Sequence, residues 1–428
     1  MKLRNINIKN FKGIEELDLQ FEEGFNLIIG DNGSGKTSIL DAISVSLGGF
    51  TSGVEGVYGK HFTKNEVRII TKTLGDASYN IVPMVPVVVE ANAIILGDEV
   101  SWTRRKSSLL ASRSTIEPKN ITKIADSISR DDNSILPILS YQGASRMWSE
   151  KRNTSKRTSK NMSRSSGYIG SLSPESNTKM LINWCRDMEQ ISWQEDKKIS
   201  EYESVKKAVS KFMTLMSSNE ISSVFYDKKR EELMYRTDRE ILPISYLSSG
   251  YQSLIWLVFD IAYRMAILNP NLFENVIDYT TGVVLIDEID VHLHPKWQWN
   301  VIGALKKTFP RVQFIVTTHS PIVLASCKDQ VISISEDGNV NYKQSSYGVP
   351  LDNVLGGYQD SRVMPVEIKK QFEEFNKELD ENVEKADEIL KELAKELGDT
   401  NPLIVNANLN LEFERLEFGE EGSNDSYK

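Results

Sequence analysis

The sequence predicts an α/β protein: a mainly parallel core sheet with an antiparallel β portion at its N-terminal end, a helical insertion in the middle and a C-terminal helical appendage. Three observations lead there. Short, almost wholly apolar runs at residues 25–29, 283–286 and 312–316 alternate with helical spacing, the pattern of strands buried on both faces. The first run ends in a glycine-rich turn, and Thr37 to Ile43 behind it have the apolar spacing of a helix laid on a sheet. Beyond residue 350, Ile368, Phe372, Phe375 and Leu379, then Val383, Ala386, Leu390, Leu393 and Leu397, recur every three or four positions.

In chain order, residues 1–104 make the first half of the core. Leu3, Ile6 and Ile8, then Leu17, Leu19 and Phe21, read as strands ahead of the buried run, and β character returns over residues 65–103 at Val67, Ile69, Ile70 and Val87 to Val89. Residues 105–240 turn polar and irregular, become helical from about Met180 to Met216, and are expected to be an insertion. The second half, residues 241–349, gives a loop, an apolar helix, the strand Val283 to Ile286, a helix near Trp297 to Lys307 and the strand Val312 to Val316. Residues 350–428 read as an acidic helical tail for oligomerisation or partner docking. Asp380-Glu381-Asn382 suits a turn between two helices, with one long coiled-coil helix as the alternative.

The 428 residues are 40% hydrophobic and 26% charged, a globular composition that can fold without staples. Cys185 and Cys327 lie far apart, so neither a disulfide framework nor a CxxC metal knuckle is available, which fits a reducing cytoplasm. The N-terminus lacks the apolar core of a signal peptide. The most apolar helical stretch, Leu254 to Leu268, carries Asp260 and Arg264 and is too short and too charged to span a bilayer, so no membrane partner is expected. A net charge of −9 argues against coating nucleic acid with the whole surface. Between Arg146 and Arg164, however, seven Lys or Arg stand against one Glu, and this basic loop reads either as a phosphate-binding segment or as a flexible solvated one.

Gly30-Asp31-Asn32-Gly33-Ser34-Gly35-Lys36-Thr37 fits GxxxxGK[ST] and sits between a buried strand and a helix, where a phosphate loop must be. Glycines let backbone N–H groups turn inward on phosphate oxygens, so Asn32, Gly33, Ser34, Gly35, Lys36, Thr37 and Ser38 are the nucleotide-binding candidates. Lys36 would neutralise phosphate charge and Thr37 offer its hydroxyl to Mg²⁺. The apolar strand Gly282 to Ile286 ends in paired carboxylates, Asp287 for the metal and Glu288 for the attacking water. ATP and Mg²⁺ are the cofactors expected. Gln142, behind the candidate strand Leu136 to Tyr141, is either a magnesium ligand or an ordinary loop amide. His292 and His294 have no third and fourth zinc ligand at matching spacing, and His294-Pro295 reads as a helix start.

Leu247-Ser248-Ser249-Gly250-Tyr251-Gln252, directly before the apolar helix, resembles the signature loop of ABC-type ATPases, and the chain is similar to their cytosolic branch that includes RecF, SMC and OLD-type proteins. Asn10-Phe11-Lys12-Gly13-Ile14 is similar to that branch's first strand and turn, and Val316-Thr317-Thr318-His319-Ser320-Pro321 to its switch-histidine loop. The resemblance implies an ABC-type P-loop ATPase core in which Ser248, Ser249, Gly250 and Gln252 of one protomer close over nucleotide held by another. It also implies that Lys12 belongs to the nucleotide site, Asp290 lies at the dimer seam, and His319 contacts the γ-phosphate beside Glu288 and Lys36.

The length leaves no room for the long coiled coil of an SMC protein, and the residues after 350 contain no DxD of an OLD-type nuclease. What remains resembles the stand-alone ATPases of bacterial anti-phage modules, PtuA of Septu systems and its retron-associated relatives, over both ATPase halves and into the tail at Ser361 to Ile368. That resemblance implies a homodimer or higher homo-oligomer with slow turnover and no intrinsic nuclease, controlling a partner HNH-type nuclease. The alternatives are a RecF-like DNA-binding repair ATPase that uses the basic loop at residues 146–164, and a scaffold whose oligomer matters more than its turnover.

Overall fold

The structure, a computed structural model, describes residues 1–75, 78–111, 113–144, 163–175, 177–217, 222–335, 337–343, 345–351, 353–354 and 365–424. The chain divides into two compact units, Met1–Val354 and Leu355–Lys428.

In the first unit, β1 (Lys2–Phe11) and β2 (Ile14–Gln20) form a hairpin, β3 (Phe25–Gly30) leaves it for another sheet, and α1 (Lys36–Thr51) follows. β4 (Ile69–Gly75) and β5 (Ser78–Pro83) pair with each other. β6 (Val87–Ile95), β7 (Asp98–Lys106) and β8 (Thr115–Glu117) then complete an antiparallel sheet ordered β2-β1-β6-β7-β8. Leu3 and Ile6 are both fully buried although three residues apart, because an irregularity between Leu3 and Asn5 resets the side-chain alternation of β1. Helix α1 is apolar on nearly every side because it lies between this sheet and the parallel one, touching β1, β6 and β7 as well as β3.

The chain continues through α2 (Asn120–Arg130), β9 (Ile138–Gln142), α3 (Thr178–Gln194) and α4 (Ser200–Met216). β10 (Ser222–Asp227), β11 (Glu232–Thr237) and β12 (Ile241–Pro243) form a small antiparallel sheet ahead of α5 (Ser249–Leu268) and α6 (Val276–Tyr279). The last part of the unit is β13 (Gly282–Ile286), α7 (Pro295–Gln298), α8 (Val301–Thr308), β14 (Val312–Thr317), α9 (Pro321–Ser326), β15 (Gln330–Ile334) and β16 (Val340–Lys343). The central sheet runs β16-β15-β3-β14-β13-β9, parallel except for β16. Every residue of β9, β13 and β14 is buried.

Residues 105–240 are therefore more than a helical insertion, since they supply β9 to the edge of the central sheet and the strands β10 and β11. β9 lies where the candidate strand Leu136 to Tyr141 was expected, and its polar residues Ser140 and Gln142 are both buried in hydrogen bonds with Asp260 of α5. Helices α3 and α4 pack on α5, where Trp184 meets Tyr202, Phe259 and Tyr263 edge-on. Among the described residues, α5 alone is long and apolar enough to cross a membrane, but most of it is buried inside the protein, as expected of a core helix.

The second unit is helical: α10 (Val366–Glu381), α11 (Val383–Leu397) and α12 (Pro402–Asn424). Asn382 breaks the first two apart, its side chain accepting from the Lys385 N–H as the N-cap of α11, so the separate-helix reading holds over one long coiled-coil helix. Ile368, Phe375, Leu390, Leu393, Ile404 and Leu411 form its core.

Candidate active site

The phosphate-type loop is shaped by where a Cβ cannot go. At Gly30, the last residue of β3, a Cβ would stand 2.4 Å from the Ile334 carbonyl oxygen of the neighbouring strand. Gly33 and Gly35 have φ of 89° and 91°, left-handed values that cost a side-chain-bearing residue, and Gly35 caps α1. The loop thus presents backbone N–H groups at a helix N-terminus, a cradle for anions. Lys36, 6% exposed, folds over it: its ammonium donates to the Gly30 and Asp31 carbonyls at 2.8 Å and to Ser34 Oγ at 3.5 Å. Burial holds its pKa below the usual lysine value, against the opposing pull of Asp287, Asp31, Glu288 and Asp290. Asn32 and Thr37 are exposed and Ser38 is half-buried.

β13 brings the carboxylates to this loop. Asp287 is 4% exposed, and its two oxygens accept from Thr37 Oγ1 at 2.9 Å and Thr317 Oγ1 at 2.7 Å. Thr317, the last residue of β14, accepts in turn from the Glu288 N–H at 2.8 Å, and its carbonyl accepts from Ile289 N at 3.1 Å. Glu288 has φ 48°, so the chain turns sharply out of the strand there, a strained backbone at the point where chemistry is expected. Asp290 accepts from Thr318 Oγ1 at 2.5 Å, while half-buried His319 lies between Thr318 and Ser320. Ser320 caps α9 and donates to Gln298 at 2.6 Å. Thr317, Thr318 and Ser320 carry this arrangement and were not singled out from sequence; their placement beside His319, at the end of an apolar strand, was the signal. The donor set fits Mg²⁺, because Asp287 and Thr37 offer hard oxygens on adjoining elements.

Gln142 ends β9 in register with Ile286, and its carbonyl accepts from the Asp287 N–H at 2.8 Å. The side-chain amide nitrogen, however, is held by Asp260 at 2.7 Å and Ser140 at 3.0 Å, and Arg264 pairs with the same Asp260 oxygen at 2.8 Å. Gln142 thus braces β9 on α5 through its amide nitrogen. Lys12 is likewise tied down, its ammonium 2.5 Å from Asp41 of α1, a carboxylate it shares with Lys60 at 3.7 Å.

At the signature loop Ser248 and Ser249 are exposed, and Ser248 makes no side-chain cap, so its hydroxyl faces outward at the N-terminus of α5. Gly250 is buried because a Cβ would meet the His292 carbonyl oxygen at 2.6 Å. Gln252 holds the loop itself, donating to the Ser245 and Leu247 carbonyls at 3.1 and 2.7 Å. His294 caps α7 through Nδ1, accepting from Lys296 N at 3.3 Å. Most of the basic loop, residues 145–162, lies outside the described residues, as do Ser361 to Met364. Arg164, which is described, donates to the carbonyls of Leu268, Asp131 and Ser134 and serves the fold.

Residues 5–235, more than half of the chain, match a family model described as an AAA domain. The chain belongs to that family. The AAA-domain chain is 27% identical over 412 residues to the retron Vc95 probable ATPase of Vibrio cholerae serotype O1 biovar El Tor, spanning 83% of this chain and 77% of that protein. It is 28% identical over 432 residues to the Septu protein PtuA of Bacillus thuringiensis, spanning 94% and 95%. Among solved structures, an SMC head bound to the C-winged helix domain of ScpA matches with a TM-score of 0.50 at 19% identity, covering 80% of this chain and 98% of that one, a likeness of fold. The AAA-domain chain is an ABC-type ATPase with Septu and retron relatives, as the motif resemblance implied.

Proposed function

We propose that this chain binds and slowly hydrolyses ATP as the regulatory subunit of a bacterial anti-phage module, and that nucleotide-dependent closure of its dimer controls a partner HNH-type nuclease. The observation that carries the hydrolytic part is the chain of hydrogen bonds Thr37–Asp287–Thr317–Glu288, which ties the phosphate loop to the Asp287 carboxylate and to the backbone N–H of Glu288. Relatives named Septu PtuA and retron ATPase support the defence setting.

In this reading the N–H groups after Gly33 and the Lys36 ammonium bind the phosphates. Thr37 and Asp287 would hold Mg²⁺, which when bound supplies positive charge to the leaving and transferred phosphoryl oxygens. Glu288 orients the attacking water and takes its proton, and His319 faces the γ-phosphate from the end of β14. Ser249, exposed at a helix N-terminus, suits closure by a second copy over the same charge. The chain works in the cytoplasm, and its tail serves oligomerisation or partner docking.

Glu288→Gln tests the chemistry: it should keep nucleotide affinity, lower hydrolysis by about 10²-fold or more, and accumulate a closed dimer in native mass spectra with ATP. Unchanged hydrolysis would sink the assignment. Purification of the tagged chain with its neighbouring gene products tests the setting. A stoichiometric HNH-type protein supports it, whereas ATP-dependent, salt-sensitive DNA binding without such a protein would favour the RecF-like alternative.

A further inference from the structure

Helix α12 has two apolar faces, and its own unit covers one of them. Ile404, Ala407 and Leu411 are buried in the core of the second unit. Val405, Leu409 and Phe413, at four-residue spacing, lie on roughly the opposite side at about 100° per residue and are 44%, 49% and 67% exposed. An apolar stripe on both sides of a helix is the pattern of an element buried between two partners.

Charge indicates which partner. Residues 355–428 hold 19 acidic and 9 basic side chains, a net charge of −10, so the other 354 residues carry +1 of the chain's −9. Several of those bases are spent inside the unit: Lys385 pairs with Glu378 at 2.6 Å, while Lys391 and Arg415 share Asp387 at 2.6 and 3.1 Å. The surplus of the segment is therefore acid, and exposed Glu412 lies along the edge of the stripe. A second copy would bring another −10 against it.

We propose that the Val405–Leu409–Phe413 face of α12 docks an amphipathic helix of a partner protein whose flanks are basic, the apolar seam giving affinity and the net acidity of the segment, with Glu412 beside the seam, giving selection. This stands whether or not the nucleotide site hydrolyses ATP.

The test is fluorescence anisotropy of the full chain against two synthetic helical peptides with the same leucine seam, one flanked by Lys and Arg, the other by Glu. The basic peptide should bind about tenfold tighter or better, weaken as salt rises, and lose about tenfold in affinity on Leu409→Ser with Phe413→Ser, with ATP hydrolysis unaltered. If that double variant loses helix content, Glu412→Gln serves instead and should narrow the gap between the two peptides. Equal binding of both peptides, binding of neither, or a native oligomer that falls apart in the double variant would overturn the proposal, the last by making the face a contact between copies.

Discussion

Thr317 shows what a single hydroxyl does in this site: it donates to Asp287 and accepts from the Glu288 N–H, so one β14 residue fixes the Asp287 carboxylate and the backbone of Glu288 together. Thr317→Val should leave a buried carboxylate oxygen and a backbone N–H short of a partner, costing about 1–3 kcal/mol in chemical denaturation and slowing hydrolysis at saturating ATP. A variant as stable and as active as the parent would show the relay to be incidental. Lys36 makes a prediction about pH. Its depressed pKa means that the unfolded chain binds more protons between that value and 10.5, so this group's contribution to stability rises with pH through that window and is lost as pH falls through it. A bound phosphate favours the protonated form again, so nucleotide binding should take up protons in the same window and weaken as pH rises through it. Calorimetry in buffers of different ionisation enthalpy measures this, and Lys36→Met should abolish the uptake. Lys36, Thr37, Asp287 and Glu288 were legible as candidates in sequence because their motifs have fixed local spacing, and the structure brings them together. Thr317 and Asp260 were not, because they act on residues 29 and 118 positions away.

Among the elements, the buried strands were readable because parallel strands covered on both faces must be apolar throughout, as β13 and β14 are. β9 was readable as a strand over Leu136 to Tyr141 but not as a member of the central sheet, because it buries Ser140 and Gln142 against Asp260, and a polar residue satisfied inside the core looks the same in sequence as one in solvent. The tail helices were readable by period, with Asn382 marking the break. The seam between β13 and β9 is tight: a Cβ on Gly282 would stand 2.0 Å from the Ile138 carbonyl oxygen, with no flexible side chain to give way. Gly282→Ala should therefore separate the edge strand from Asp287's strand, destabilising by about 2–4 kcal/mol and lowering the melting temperature by several degrees. An unshifted melting curve would mean that the two strands part without cost.

For the molecule as a whole, the division at Val354 predicts that a chain ending there still binds nucleotide, since every residue of the site belongs to the first unit. Loss of nucleotide affinity in the truncated chain, measured beside the parent by calorimetry, would contradict this. The fold class was legible because strand and helix alternate on either side of the inserted residues. The order of the strands was not, because pairing between distant segments leaves no local trace. That order has a consequence for biosynthesis. β3 carries the phosphate loop, yet it lies between β14 and β15, which the ribosome makes roughly 300 residues later, about 15–60 s at ordinary elongation rates. Until then the loop has no flanking strand and Asp287 no Thr317. A nascent or prematurely terminated chain therefore cannot assemble a working engine, and translation to the far side of residue 330 acts as the enzyme's own safety catch.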